Sequence, residues 1–229
     1  MGSFAQKLIQ ATQENYNILA PHFSYTRSSV WPDLKVFTPE IKSKAKILDI
    51  GCGNGRVFGL FKNKNVDYLG IDFSKNLINE AEKRYPQAKF KIGDITVKKT
   101  WQNFKNKFDF VFCVAVLHHL PTQELKKELT RQIWQALKPN GKAFITVWNL
   151  RQKKYLKHHF SIKSLKLKWQ LKNSRALYVP YKYNQAVINR FLHSFTLKEL
   201  NNLFLGANFT VKKSWSSGKN ICLAAQKQV

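Results

Sequence analysis

Gly51, Gly53 and Gly55 follow the apolar run KILDI, with Asp49 just before them and Asp72 closing the next apolar run. Glycine accepts a positive φ and leaves its backbone bare, so a strand running into such a triplet makes a tight turn against which a ligand can lie. A carboxylate at Asp72 can accept hydrogen bonds from ribose hydroxyls. Gly93-Asp94-Ile95, closing the run after that, offers an acid for an adenine amino group and a backbone N–H for its ring. Together these residues could hold an adenosine-bearing cofactor. The same glycines and acid serve dinucleotides, so a nicotinamide enzyme remains a rival on spacing alone. Two plainer readings stand beside these: Asp49 as a cap on the glycine turn, and Cys52 as a packed small residue.

Positioning these groups requires a sheet. Apolar runs at 46–50, 66–72, 89–94, 108–116 and 141–148 alternate with helical patterns from Ser74 to Tyr85 and from Thr122 to Leu137, the latter stopping at Pro139-Asn140-Gly141. Near-continuous apolar strands joined by helices predict a parallel sheet covered on both faces. Phe4, Leu8, Ile9, Ala11 and Ile18 predict a first amphipathic helix, ended by Pro21. Thr196-Leu-Lys-Glu199 has capping-box spacing and opens a helix to about Leu205. The runs 209–215 and 220–226 flank Ser216-Ser217-Gly218-Lys219 as a closing hairpin, bringing the count to seven strands. The fold class expected is α/β, a Rossmann-like doubly wound sheet of seven strands with a C-terminal antiparallel hairpin. One domain is expected over 1–229, divided into an N-terminal helix and substrate-side segment (1–44), a cofactor-binding core (45–150), a basic cap insertion (151–195) and a closing helix with its hairpin (196–229).

The chain has 229 residues, with 39 Lys and Arg against 13 Asp and Glu, a net charge of +26 that draws polyanions to the surface. Residues 151–229 hold 16 of the basic groups and one acid, Glu199. Between Arg151 and Arg175 lie nine basic residues and no acid, interleaved with Tyr155, Phe160 and Trp169. A charge run is ordinarily a solvated face; aromatics spaced among the lysines turn the reading toward an anion-binding face that also stacks bases. No apolar run reaches the roughly 20 residues of a membrane span, and MGSFAQK carries no secretory h-region. Cys52, Cys113 and Cys222 stand singly, giving neither a disulfide framework nor a metal-ligand pair. A cytoplasmic protein with no membrane attachment and no zinc site of its own is expected.

The D-x-G-x-G-x-G loop with Asp72 and Gly93-Asp94 resembles the class I S-adenosylmethionine-dependent methyltransferases over about residues 45–150. The GD pair after the third run, the fourth run leading into VAVLHHL and the closing hairpin favour this family over the nicotinamide rival. The resemblance implies S-adenosyl-L-methionine as cofactor, the methionine end on Asp49, Gly51, Gly53 and Gly55, and the ribose on Asp72. Phe73, Asp94, Ile95 and Val114 would line the nucleoside, and Tyr16 would cover the cofactor from the first helix.

YNILAPHFSYTRSSVWP, AVLHHL, VW at 147–148, VPY at 179–181 and RFLHSFTLKEL narrow the resemblance to the tRNA methyltransferases that esterify 5-carboxymethyluridine at the anticodon wobble position. Tyr181 departs from that family, where a Trp is expected. A carboxylate, with a pKa near 4, is already an anionic nucleophile at neutral pH, so positioning is most of the task and no general base is needed. Such a pocket must hold the carboxylate, exclude water and stack a flipped uracil. Arg27, His118, His119, Arg190, His193, Trp31 and Trp148 supply those types, and no amine-methylation signature follows the fourth run. Plainer roles compete: packing for His118 and Trp148, a core plug at Trp31, a surface site at Arg27. Arg190 and His193, three apart, would share a face if their segment were helical. Implied partners are the tRNA anticodon stem-loop and, as in eukaryotic relatives, a small zinc-binding activator subunit. Rival functions are methylation of a small carboxylic acid or other metabolite, and a non-catalytic RNA-binding role on the same fold.

Overall fold

A computed structural model describes residues 3–27, 29–183 and 185–228. In chain order the elements are α1 (Ser3–Thr26), α2 (Pro32–Lys35), β1 (Lys46–Ile50), β2 (Asp67–Asp72), α3 (Lys75–Arg84), β3 (Lys89–Ile92), β4 (Phe108–Val114), α4 (Gln123–Ala136), β5 (Leu137–Trp148), α5 (Lys153–His159), α6 (Ile162–Leu171), β6 (Ala176–Tyr183), β7 (Ala186–His193), α7 (Leu197–Leu205), β8 (Phe209–Ser216) and β9 (Asn220–Lys227). Seven strands form one sheet in the order β3-β2-β1-β4-β5-β9-β8. β1 to β5 run parallel, while β9 pairs antiparallel with β5 and β8 with β9. The chain reverses its winding between β1 and β4, the place in such a sheet where a crevice opens beyond the strand ends.

Burial on both faces explains the apolar strands. Ile47, Leu48 and Ile50 of β1 and Val111, Phe112 and Cys113 of β4 are all fully buried, some facing the α4/α7 layer and others the layer built from Leu34, Phe37 and Phe61. The helices on this scaffold are capped as their sequences dictate. Ser74, Thr122 and Thr196 accept from the backbone N–H three residues on, at Leu77, Leu125 and Glu199. The free cysteines Cys52, Cys113 and Cys222 are buried, and no helix among the described residues is long and apolar enough to cross a membrane.

Two expectations are corrected, and one condition is not met. Pro21 does not end the first helix: α1 continues to Thr26, with Arg27 N–H donating to the Phe23 carbonyl at 3.0 Å. Proline removes one donor and disfavours the helical conformation in the residue before it, but the aromatic contacts of Phe23 hold the following turn against the glycine loop. The fourth strand's partner helix stops at Ala136, and the Pro-Asn-Gly segment lies within β5. Residues 186–193 are strand, so Arg190 and His193 project to opposite faces of β7 and not along one helical face.

Residues 151–195 form a cap of two helices and the antiparallel hairpin β6-β7. Leu167 of α6 packs with Ala176, Phe191 and Leu8 of α1, and Ser164 Oγ accepts from the Tyr178 N–H at 3.0 Å. The cap is thereby joined to α1 beside the crevice.

Candidate functional site

The glycine loop turns as only glycine turns easily: Gly51, Gly53 and Gly55 have φ of 67°, 56° and 72°. A Cβ on Gly51 would run into the Val116 side chain, and one on Gly55 would approach the Phe90 ring to 2.8 Å. Gly51 and Gly53 contribute bare backbone to the cavity wall; Gly55 instead permits close packing of α3 and β3 beneath it. The Gly53 N–H donates to Asp72 Oδ2 and the Ser74 N–H to Asp72 Oδ1, both at 2.9 Å. Asp72 is thus locked at the carboxyl end of β2. Burial pushes its pKa up to about 6, against the pull of those N–H groups.

Asp94 Oδ1 accepts from the Thr96 N–H and hydroxyl at 2.8 and 2.7 Å, an Asx-type turn that fixes the acid at the end of β3. Asp94, Ile95, Phe73 and Val114 all lie in the cavity wall. Asp49 does not. It is fully buried behind the loop, where Oδ2 accepts from the Tyr68 hydroxyl at 2.7 Å and Oδ1 has no partner. Burial raises its pKa to about 7.

Helix α1 roofs the cavity. Gln13 Nε2 donates to the Phe73 carbonyl at 2.9 Å, and Asn17 Oδ1 accepts from the Ser74 hydroxyl at 2.7 Å, which presents Tyr16 and Phe23 to the interior. Tyr16 OH lies 2.9 Å from His119 Nε2. Burial, then Arg190, depresses His119 to a pKa of about 3, so it is a neutral ring at physiological pH. Arg27, Trp31, His119 and Trp148 share the wall.

The remaining predicted residues sit behind or beside this wall. His118 is fully buried, with its ring 5.1 Å from that of Trp148 and its Nδ1 accepting from the Trp148 N–H at 3.4 Å. Arg190 lies between two aromatic rings, 5.1 Å from Trp148 and 4.7 Å from Tyr181, with its Nε unpartnered. His193 belongs to a different cluster: Asn173 Nδ2 donates to its Nδ1 at 3.0 Å, and its Nε2 lies 2.6 Å from Glu199 Oε1. That pairing joins the cap to α7, away from the cavity.

Sequence reasoning passed over Asn54, Phe23 and Arg56. Arg56 follows Gly55 directly, and a basic residue adjoining a ligand loop was the available signal. It is 6% exposed, lies 4.2 Å over the Trp31 ring and lines the cavity. Bare glycine backbone, two fixed acids at adjacent strand ends and an unpartnered buried guanidinium suit a nucleoside joined to a charged amino-acid end. The residues present fit such a cofactor.

A family model for a methyltransferase domain matches residues 23–214. A tRNA (carboxymethyluridine(34)-5-O)-methyltransferase of Mus musculus is 35% identical over 137 residues, 60% of this chain and 20% of that protein. One of Saccharomyces cerevisiae is 33% identical over 151 residues, 65% of this chain and 51% of that protein. The chain thus matches between one fifth and about half of the length of these two relatives. Among solved structures, a SAM-dependent methyltransferase of Methanosarcina mazei superposes with a TM-score of 0.72 at 20% identity, covering 88% of this chain and 99% of that one. A Burkholderia thailandensis 1,6-didemethyltoxoflavin-N1-methyltransferase with bound S-adenosylhomocysteine gives 0.69 at 16% identity, covering 100% and 92%. Both likenesses concern the fold.

Proposed function

From the premise that this chain belongs to the methyltransferase domain family and carries the class I S-adenosylmethionine-dependent fold, we propose that it esterifies the carboxylate of 5-carboxymethyluridine at the wobble position of a tRNA anticodon. The observation that carries the reading is the joining of two unlike halves in one cavity: Asp72 and Asp94 at the strand ends, and Trp148 with neutral His119 on the facing wall, where Arg190 of β7 backs Trp148 from beside the cavity. Likeness to tRNA carboxymethyluridine methyltransferases over 60–65% of the chain supports the substrate.

S-adenosylmethionine supplies an electrophilic methyl group. The chain's own residues bind, orient and exclude water. Asp72 would accept from the ribose hydroxyls and Asp94 from the adenine amino group, while the bare Gly51–Gly53 backbone would face the methionine end. On the substrate side, Arg190 holds the carboxylate, its plane kept in place by Trp148 and Tyr181, and Trp148 offers a face to the uracil. Neutral His119, fixed by Tyr16, donates a hydrogen bond without bringing a competing charge. No group on this side has to take a proton, as a carboxylate nucleophile requires. Arg27 stands at the cavity mouth, over Phe23 at 4.4 Å, where substrate enters. The lysine-rich cap takes the anticodon stem-loop backbone, and the reaction belongs to the cytoplasm, where single cysteines stay reduced.

The test is transfer of labelled methyl to tRNA carrying 5-carboxymethyluridine, with digested nucleosides resolved by mass spectrometry. A base-labile methyl ester on the wobble uridine is the expected product. Esterification of free carboxylic acids without tRNA would replace this reading with the metabolite one. Transfer that begins only when a small zinc-binding subunit is added would keep the reaction and identify the partner.

A further inference from the structure

Arg56 is a buried cation whose anion is not supplied by the chain. Its Nη1 has no hydrogen-bond partner and no solvent contact, and among the described residues no carboxylate lies within ion-pair distance of it. Burial, followed by repulsion from Arg27, lowers its pKa to about 10, which leaves it charged at neutral pH. Asp49 attracts it only through space, and Asp49 is itself raised to about 7 and committed to Tyr68. A guanidinium held this way against Trp31 is costly unless an anion completes it.

The charge pattern of the cavity says which anion. Asp72 and Asp94 occupy the ends of β2 and β3, while Arg27 and Arg56 stand together on the Trp31 side. A ligand with a nucleoside at one end and an amino acid at the other is ordered by those charges. Its hydroxyls and exocyclic amine go to the acids, and its carboxylate is repelled from them toward the arginines. Resting on the cofactor reading above, we propose that Arg56 binds the α-carboxylate of S-adenosylmethionine, with Trp31 fixing the guanidinium plane and Arg27 adding to the field. Arg190 belongs to a separate group with Trp148 and Tyr181, so cofactor and substrate carboxylates are held by different cations and do not compete. That division suits an enzyme whose two ligands are both carboxylates.

Calorimetric titration with S-adenosylhomocysteine and with its decarboxylated analogue tests this without turnover. The wild-type chain should bind S-adenosylhomocysteine about 10- to 100-fold more tightly than the analogue, the range for a hydrogen bond between charged groups. Arg56→Gln should remove that preference, weakening S-adenosylhomocysteine while leaving the analogue within about twofold; Arg56→Lys, which keeps charge but loses the planar fork, should fall between. Equal wild-type affinities for the two ligands would overturn the proposal, and that comparison needs no variant to fold. Equal weakening of both ligands in Arg56→Gln would overturn it too, by assigning Arg56 to the loop's structure. Failure of S-adenosylhomocysteine to bind the wild-type chain at all would instead overturn the cofactor reading, and this assignment with it.

Discussion

Asp72 makes the cofactor end of the cavity sensitive to pH, and the sign is set by its burial. Its pKa of about 6 stands above the ordinary 3.8, so the folded chain takes up this proton as pH falls through 6. On the proposed cofactor reading, the ionised carboxylate would accept from ribose hydroxyls, and the protonated acid would lose much of that capacity. S-adenosylhomocysteine affinity should therefore be about tenfold lower at pH 5 than at pH 7, with the slope abolished in Asp72→Asn. The stability of the unliganded chain moves the other way. A raised carboxylate pKa contributes stability that grows as pH falls from about 6 toward 3.8, so a thermal melt should show opposite signs for fold and binding. On the substrate side, Arg190→Gln should leave S-adenosylhomocysteine affinity within about twofold and cut kcat/KM on tRNA about 10- to 100-fold, as removal of one charge-assisted hydrogen bond does. A parallel loss of cofactor affinity would place Arg190 with Arg56. The two cavity acids, Asp72 and Asp94, were legible in the sequence because each closes a short run that becomes a strand. Arg56 was legible only as a basic residue next to the loop; that its Nη1 has no hydrogen-bond partner is shown by the surrounding contacts alone.

At the scale of elements, legibility follows how the chain buries itself. β1, β4 and the 141–148 part of β5 lie in the middle of the sheet and read as near-continuous apolar runs, while α3, α4 and α7 announce themselves by Ser74, Thr122 and Thr196. The hairpin β6-β7 mixes buried Val179 and Leu192 with exposed Pro180 and Val187, a pattern with neither clean alternation nor a turn signature. The glycine loop gives a graded test. Gly51→Ala meets both a positive φ and the Val116 side chain, whereas Gly53→Ala meets the φ cost alone, its Cβ lying 3.4 Å from Phe23. Melting temperature and S-adenosylhomocysteine binding should both suffer more in Gly51→Ala. Lys126 of α4 offers a contrasting case: it is fully buried, its Nζ has no partner, and burial lowers its pKa to about 8. A lysine depressed in this way destabilises the fold below pH 8, and the cost is relieved as pH rises from 8 toward 10.5. Lys126→Met should stabilise the chain by about 1 kcal/mol or more at pH 7, with the gain shrinking by pH 10. A gain that does not vary with pH would show that packing, and not the buried charge, is responsible.

Over the whole molecule, a net charge of +26 favours a polyanion such as the proposed tRNA without saying where it would rest. The α5–α6 face narrows this. Phe160, Ile162 and Trp169 are 77%, 73% and 82% exposed, with Ile162, Leu165 and Trp169 on one side of α6 by helical spacing, and Lys153, Lys154, Lys157, Lys163 and Lys166 surround them. Lysine and tryptophan contribute differently to RNA affinity, so the face can be dissected. Each phosphate that the protein no longer neutralises should flatten the dependence of log affinity on log salt by about 0.7 to 0.9. Replacing Lys153, Lys154 and Lys157 together by Ala should therefore reduce the slope by about 2 to 3 if all three meet phosphates. Trp169→Ala should leave the slope alone and weaken binding about tenfold at every salt concentration, the cost of removing one base–aromatic stack. Both variants should keep wild-type S-adenosylhomocysteine affinity, since α5 and α6 lie outside the cavity wall. Filter binding of tRNA across a salt series separates the cases: an unchanged slope in the lysine variant, or a changed one in Trp169→Ala, would move the RNA off this face and onto the Arg27 side of the cavity mouth.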